Sequence, residues 1–131
     1  VRTFKFRAWH HETKTMIPNR DQHYEGNCFK WVYEGQPVTI MQFTGLLDAN
    51  GKEIYEGDIF NHKTDKRHPD GGQICGTYGY HAENATVVEW QNGMFYINRE
   101  SLIDFINFSK LSGHGKEIIG NIYENPELLG K

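Results

Sequence analysis

The sequence predicts a mainly β protein, a barrel or sandwich of short antiparallel strands with at most one or two short helices. Three observations carry this expectation. Polar and apolar residues alternate from Thr3 to Trp9, the period of a half-buried strand. Asn50-Gly51 and Asn92-Gly93 each separate two apolar runs, and both residue types accept the positive φ of a tight hairpin turn. Glycine is frequent, with 14 in 131 residues, and aromatic residues reach 14%, which suits many turns over a small aromatic core. A disordered chain of the same mean hydropathy, −0.69, would lack those aromatics. The length fits a single domain spanning residues 1–131, with enough chain to bury one core without disulfide staples.

Taken in order, Phe4, Phe6 and Ala8 fall on one face of the first strand and Lys5, Arg7 and Trp9 on the other. His10 to Lys14 forms the turn and Thr15-Met16-Ile17 the return strand, stopped at Pro18. The first 20 residues carry five cations against one acid, Glu12. A row of Lys5, Arg7 and Trp9 can hold a phosphate and stack a base; the simpler reading is an edge strand whose charges deter sheet-to-sheet aggregation. Cys28 to Tyr33 reads as a short strand closed by Glu34-Gly35, with Cys28 a small core residue rather than a nucleophile. Met41 to Phe60 reads as the central hairpin: apolar residues from Val38 to Phe43, a break at Gly45, the turn Asp48-Ala49-Asn50-Gly51, and a returning strand through Ile54, Tyr55, Ile59 and Phe60.

The segment 61–86 departs from this pattern. It is polar, rich in glycine and without periodicity, and is expected to be a long loop or insertion. It holds His62, His68, Cys75 and His81, thiolate and imidazole groups of the kind that bind zinc. The tight Cys-x-x-Cys pair usual in structural zinc sites is missing, so a solvated hairpin tip is the plainer reading. No cofactor is expected.

Val87 to Trp90 and Met94 to Ile97 form a second hairpin around Gln91-Asn92-Gly93. Ser101 followed by Asp104 resembles a capping box and favours a helix over Leu102 to Phe108, although the same apolar residues suit two short strands. Glu117 to Tyr123 is the last strand, and Pro126 to Leu129 closes as a short helical turn. Gly51-Lys52-Glu53-Ile54 is echoed at Gly115-Lys116-Glu117-Ile118; a shared turn-into-strand solution explains this more simply than a duplication.

The net charge is −3 and the sequence pI about 6.2, which weighs against nonspecific binding to phosphate backbones. No secretion signal opens the chain and no apolar run is long enough to span a bilayer. With two cysteines and no disulfide framework, the expectation is a soluble protein of a reducing compartment such as the cytoplasm, away from membranes.

The blocks KFRAW (Lys5 to Trp9), MQFTGL (Met41 to Leu46), NGKEIYEGDI (Asn50 to Ile59), VVEW (Val87 to Trp90) and IGNIYENPELL (Ile119 to Leu129) occur in this order. Together they resemble the YopX family of phage and prophage proteins over nearly the whole chain. His10-His11 departs from the acidic turn expected after the first block, and 61–86 looks particular to this member. The resemblance implies a mainly β fold of SH3-like flavour, encoded by a mobile element in a bacterial host. It implies no activity and no catalytic residues.

Among function classes, an enzyme has one foothold: Glu53, Glu56 and Asp58 lie close in sequence, and paired carboxylates can run acid–base chemistry. No nucleophile elbow, HExxH or dinucleotide loop accompanies them. The reading favoured is a non-enzymatic binding or assembly module for a protein partner or for itself as a homo-oligomer. The alternative is a nucleic-acid-binding small barrel using Lys5, Arg7 and Trp9.

Overall fold

The structure is a computed structural model, described over residues 3–18, 28–64, 82–97, 100–111, 113 and 115–130. In chain order its elements are β1 (Phe6–His10), β2 (Thr15–Ile17), α1 (Cys28–Tyr33), β3 (Val38–Leu47), β4 (Glu53–Tyr55) and β5 (Asp58–Thr64). They continue with β6 (Ala82–Gln91), β7 (Met94–Ile97), β8 (Glu100–Ser101), α2 (Leu102–Leu111), β9 (Ile118–Asn121) and α3 (Glu127–Gly130). The strands form two sheets, ordered β2-β1-β3-β4 and β8-β7-β6-β5-β9, and all neighbours are antiparallel. The mainly β expectation holds.

Both Asn-Gly turns form. Asn92 and Gly93 take φ of 50° and 85°, the two positive values of a hairpin whose twist matches its strands. At the first turn Asp48 fixes the chain: its Oδ1 accepts from Asn50 N and Lys52 N, and its Oδ2 from Ile118 N. Asp48 thus ties the turn before β4 to the start of β9, with Ala49 N donating to Lys116 O. A Cβ on Gly115 would lie 2.8 Å from that of Ala49, so this close approach needs glycine. Gly45 does not end β3 as predicted; the strand runs on to Leu47 through an irregularity in register between Phe43 and Leu47. Gly45 sits there at φ 89°, as a bulge allows.

Cys28 to Tyr33 is a helix, not the predicted strand, which gives three short helices among the described residues instead of two at most. Cys28 and Trp31, one turn apart, face Ala8, Ile17, Val38 and Ile40. Gly35 closes the helix at φ 81°, with Gln36 N bonding Trp31 O and Gly35 N bonding Val32 O. Those two bonds make a Schellman cap. The Glu34-Gly35 pair that reads as the end of a strand is thus a helix stop. By contrast, the helix over Leu102 forms as favoured, with Ser101 Oγ accepting from Asp104 N at 3.2 Å. Leu102, Phe105, Ile106 and Ser109 are its buried residues, the i, i+3, i+4, i+7 stripe of a helix on a core.

The buried apolar residues fall into two clusters, and the second takes in Ile54 of β4 from the first sheet. The first, under α1, gathers Ala8, Ile17 and Cys28. The second gathers Ile54, Phe60, Val88 and Ile97 with Leu102, Phe105 and Ile106 of α2. Both ends of the predicted 61–86 loop are strand: residues 61–64 pair with residues 82–85. That ladder extends the β5–β6 hairpin by backbone bonding without an apolar pattern. Residues 65–81 lie outside the described residues.

The stretch from Ile54 to Phe60, one strand by its sequence, is two in the structure, and they belong to different sheets. Glu56 N still bonds Gln42 O on β3, whereas Gly57 N bonds Val88 O on β6 and Gly57 O accepts from Ile122 N. The chain therefore switches sheets within one peptide unit. Gly57 has φ 87°, and a Cβ there would meet Met41 Sδ at 3.3 Å and Ile122 at 3.5 Å, so both conformation and space call for glycine.

Candidate functional site

Lys5, Arg7 and Trp9 share a face, as the alternation predicts, but that face looks onto the sheet switch. Lys5 Nζ pairs with Glu53. Arg7 Nη2 lies 2.7 Å from Asp58 Oδ1 and 3.3 Å from Glu56 O, with its guanidinium 4.7 Å above the Tyr55 ring. Trp9, buried, stacks on Tyr123 at 5.6 Å and 14°. Each member of the proposed phosphate-and-base row thus holds a partner from its own chain. Nor is β1 an edge strand: β2 flanks it on one side and β3 on the other.

The carboxylates Glu53, Glu56 and Asp58 are separated by these same contacts. Glu53 takes Lys5 and the Tyr55 hydroxyl, Glu56 Oε1 accepts from Gln42 N at 2.7 Å, and Asp58 Oδ2 accepts from Tyr55 N at 2.8 Å. Burial pushes the Asp58 carboxyl above its ordinary range, and the Arg7 charge and the Tyr55 N–H pull it back only in part. Burial, and after it the Glu53 carboxylate, push the Tyr55 phenol up to about 12. At Asp48 burial also acts upward, but the N–H bonds from Ile118, Lys52 and Asn50 outweigh it and leave the carboxyl low. These groups hold the fold at the switch and the turn.

Of the proposed metal ligands, His62 lies on β5, and His68, Cys75 and His81 lie outside the described residues. Among the described residues no group of three or more His, Cys, Asp or Glu could hold a metal ion. No helix among them is long and apolar enough to cross a membrane. Cys28 is buried, and burial raises its thiol above the ordinary value, so it is a core residue.

The sheet switch leaves a feature that no motif announced. Beyond Gln42, β3 keeps β1 on one side but loses β4 on the other. Beyond Val87, β6 keeps β7 but loses β5. Phe43 N bonds Lys5 O, so by antiparallel alternation Met41 and Thr39 point at β1 and Ile40 points away. Val88 O accepts from Gly57 N, so Val88 and Trp90 point away from β7. The N–H and C=O of Ile40 and of Trp90 therefore face a groove, and no strand among the described residues pairs with them there.

This groove measures about 390 Å³ and is open rather than enclosed. Gly57 and Ile122 line it between the two arms, with Met41 and Val88 beside them and Trp90 and Tyr123 as its aromatic members. Trp90 is 49% exposed and packs edge-on against Phe95. Glu56 and Glu89 also line the groove, and no Lys, Arg or His does among the described residues. Signals for it existed singly, in Gly57 and Trp90, but a vacated edge is a property of strand order.

The family model described as YopX protein matches residues 5–130. The chain is also similar to protein EF1440 from Enterococcus faecalis, known from a crystal structure. The two share 29% identity at a TM-score of 0.65, covering 98% of this chain and 99% of that one. No curated protein matches the chain.

Proposed function

The chain belongs to the YopX family, and from that premise we propose that it is a non-catalytic binding or assembly module, encoded by a phage or prophage and acting in the bacterial cytoplasm. Its ligand on this reading is a protein partner or a second copy of itself. The observation that carries the reading is the groove at the sheet switch, where two strand edges have no partner among the described residues, beside a half-exposed tryptophan. Unpaired edges are the standard template for adding a strand from another chain. An open groove suits a polymer segment better than a small molecule, which needs a cavity that buries most of its surface. The engagement of Glu53, Glu56 and Asp58 within the fold supports a non-catalytic role.

The test joins light scattering behind size exclusion with affinity capture from a bacterial lysate, for the wild type and Trp90→Ala. The reading expects self-association, or capture of a protein, that is lost in Trp90→Ala while the thermal melt is kept. A protein that stays monomeric at all concentrations, and retains the same lysate proteins with or without Trp90, would sink it. Saturable binding of labelled DNA or RNA that weakens steeply with salt would replace it with the nucleic-acid alternative.

A further inference from the structure

We infer that the groove takes an extended, cationic peptide segment of a partner protein as an added strand; this rests on the reading of the groove as a binding site. Three features name the ligand. First, the groups left without a strand partner among the described residues are backbone ones, at Ile40 on β3 and Trp90 on β6. An extended segment turns its own N–H and C=O groups alternately to left and right, so one strand can answer both edges. The open lengths, Thr39 to Met41 and Glu89 to Gln91, admit about three residues, roughly 10 Å of strand.

Second, the lining charge is of one sign. Glu56 uses Oε1 on Gln42 N, and Glu89 is exposed with Oε1 accepting from Gln91. With no cation in the described lining, these carboxylates attract lysine or arginine and repel an acidic segment. Third, Trp90 presents an aromatic surface on which a lysine or arginine stem packs and its charge is attracted to the ring. The acidic lining disfavours DNA and RNA, whose phosphates would meet Glu56 and Glu89.

A random library of eight-residue synthetic peptides, capped at both ends, provides the probe. It is selected in solution on the full chain and read by mass spectrometry. Selected peptides are expected to be enriched in Lys and Arg over Asp and Glu. The best of them should bind about tenfold more weakly to Glu56→Gln/Glu89→Gln, which lacks two exposed ion pairs with the peptide. Glutamine keeps the acceptor that Gln42 N uses, and a thermal melt checks the fold. Glu117→Gln/Glu127→Gln, which removes equal charge elsewhere on the surface, should leave binding unchanged. Methylating alternate backbone nitrogens of the peptide should abolish binding.

Selection of acidic or uncharged peptides would overturn the cationic ligand, and binding that survives N-methylation would overturn the added strand. Both results leave the groove a binding site if Trp90→Ala still weakens them. A second copy found seated in the groove by the light-scattering comparison would likewise overturn this inference and keep the broader reading. An empty selection, with no effect of Trp90→Ala in lysate capture or on assembly, would overturn both.

Discussion

Arg7→Met tests how the sheet switch is held. The Arg7 and Asp58 side chains are only 12% and 2% exposed. Met keeps the apolar stem but removes the charge, leaving the Asp58 carboxyl with one donor, Tyr55 N. Breaking a buried pair from one side costs about 3–5 kcal/mol, a large part of the roughly 5–15 kcal/mol that a domain holds. The destabilisation should depend on pH with a definite sign. Burial already raises Asp58 above the ordinary value of 3.8, and removing Arg7 raises it further. Between 3.8 and that raised folded value the native variant binds more protons than the unfolded chain. Its stability therefore falls as pH rises through the window.

Urea unfolding followed by circular dichroism at several pH values measures the gap between the two proteins. The gap should widen from acid to neutral pH and then level off. At the acid end it should shrink to what the missing guanidinium hydrogen bonds and its stacking on Tyr55 contributed, about 1–2 kcal/mol. Arg7→Met/Asp58→Asn, which removes the stranded charge, should recover much of the stability at neutral pH. A gap under about 1 kcal/mol, or one that does not vary with pH, would refute a buried charge pair at the switch.

Three further perturbations follow from the same geometry. Asp48→Ala orphans the N–H groups of Asn50, Lys52 and Ile118 and should cost about 2–3 kcal/mol in urea unfolding. Because the Asp48 carboxyl is held below 3.8, its contribution is present above that value and lost as pH falls through the folded one. Asp48→Asn should therefore flatten the acid limb of the stability profile. Gly120→Ala places a Cβ 2.5 Å from Asn125 Oδ1 and 2.9 Å from Leu128; it should cost about 1–3 kcal/mol by overpacking, read as a lowered Tm. In a Cys75→Ser background, Cys28 should resist iodoacetamide until urea unfolds the chain, since its thiol is buried and shifted upward.

Local chemistry is legible in the sequence wherever one short stretch decides the outcome. The turns at Asn50-Gly51 and Asn92-Gly93 need positive φ, and the start of α2 at Ser101 needs a cap, so residue type alone points to them. The first helix reads as a strand because six residues with three aromatics look like one. The decisive sign is Gly35 as a left-handed stop, two residues before Pro37. Lys5, Arg7 and Trp9 fall on one face of β1 as expected, but which face is covered depends on β4, β5 and the turn at Tyr123, all distant in sequence. The groove is further removed still. It exists because the chain leaves one sheet for the other at Gly57, and that topology leaves Ile40 and Trp90 without a strand partner among the described residues. Their side chains give no hint of it.

Residue-resolved amide hydrogen exchange of the free protein reads the two vacated edges themselves. The Ile40 and Trp90 amides face open groove, while those of Met41 and Glu89 bond to β1 and β7. Ile40 and Trp90 should exchange about a hundredfold or more faster than Met41 and Glu89, and should slow once a ligand strand is bound. Protection of Ile40 and Trp90 equal to that of Met41 and Glu89 in the free monomer would mean that the edges are already covered, and would contradict a strand-binding groove at the sheet switch.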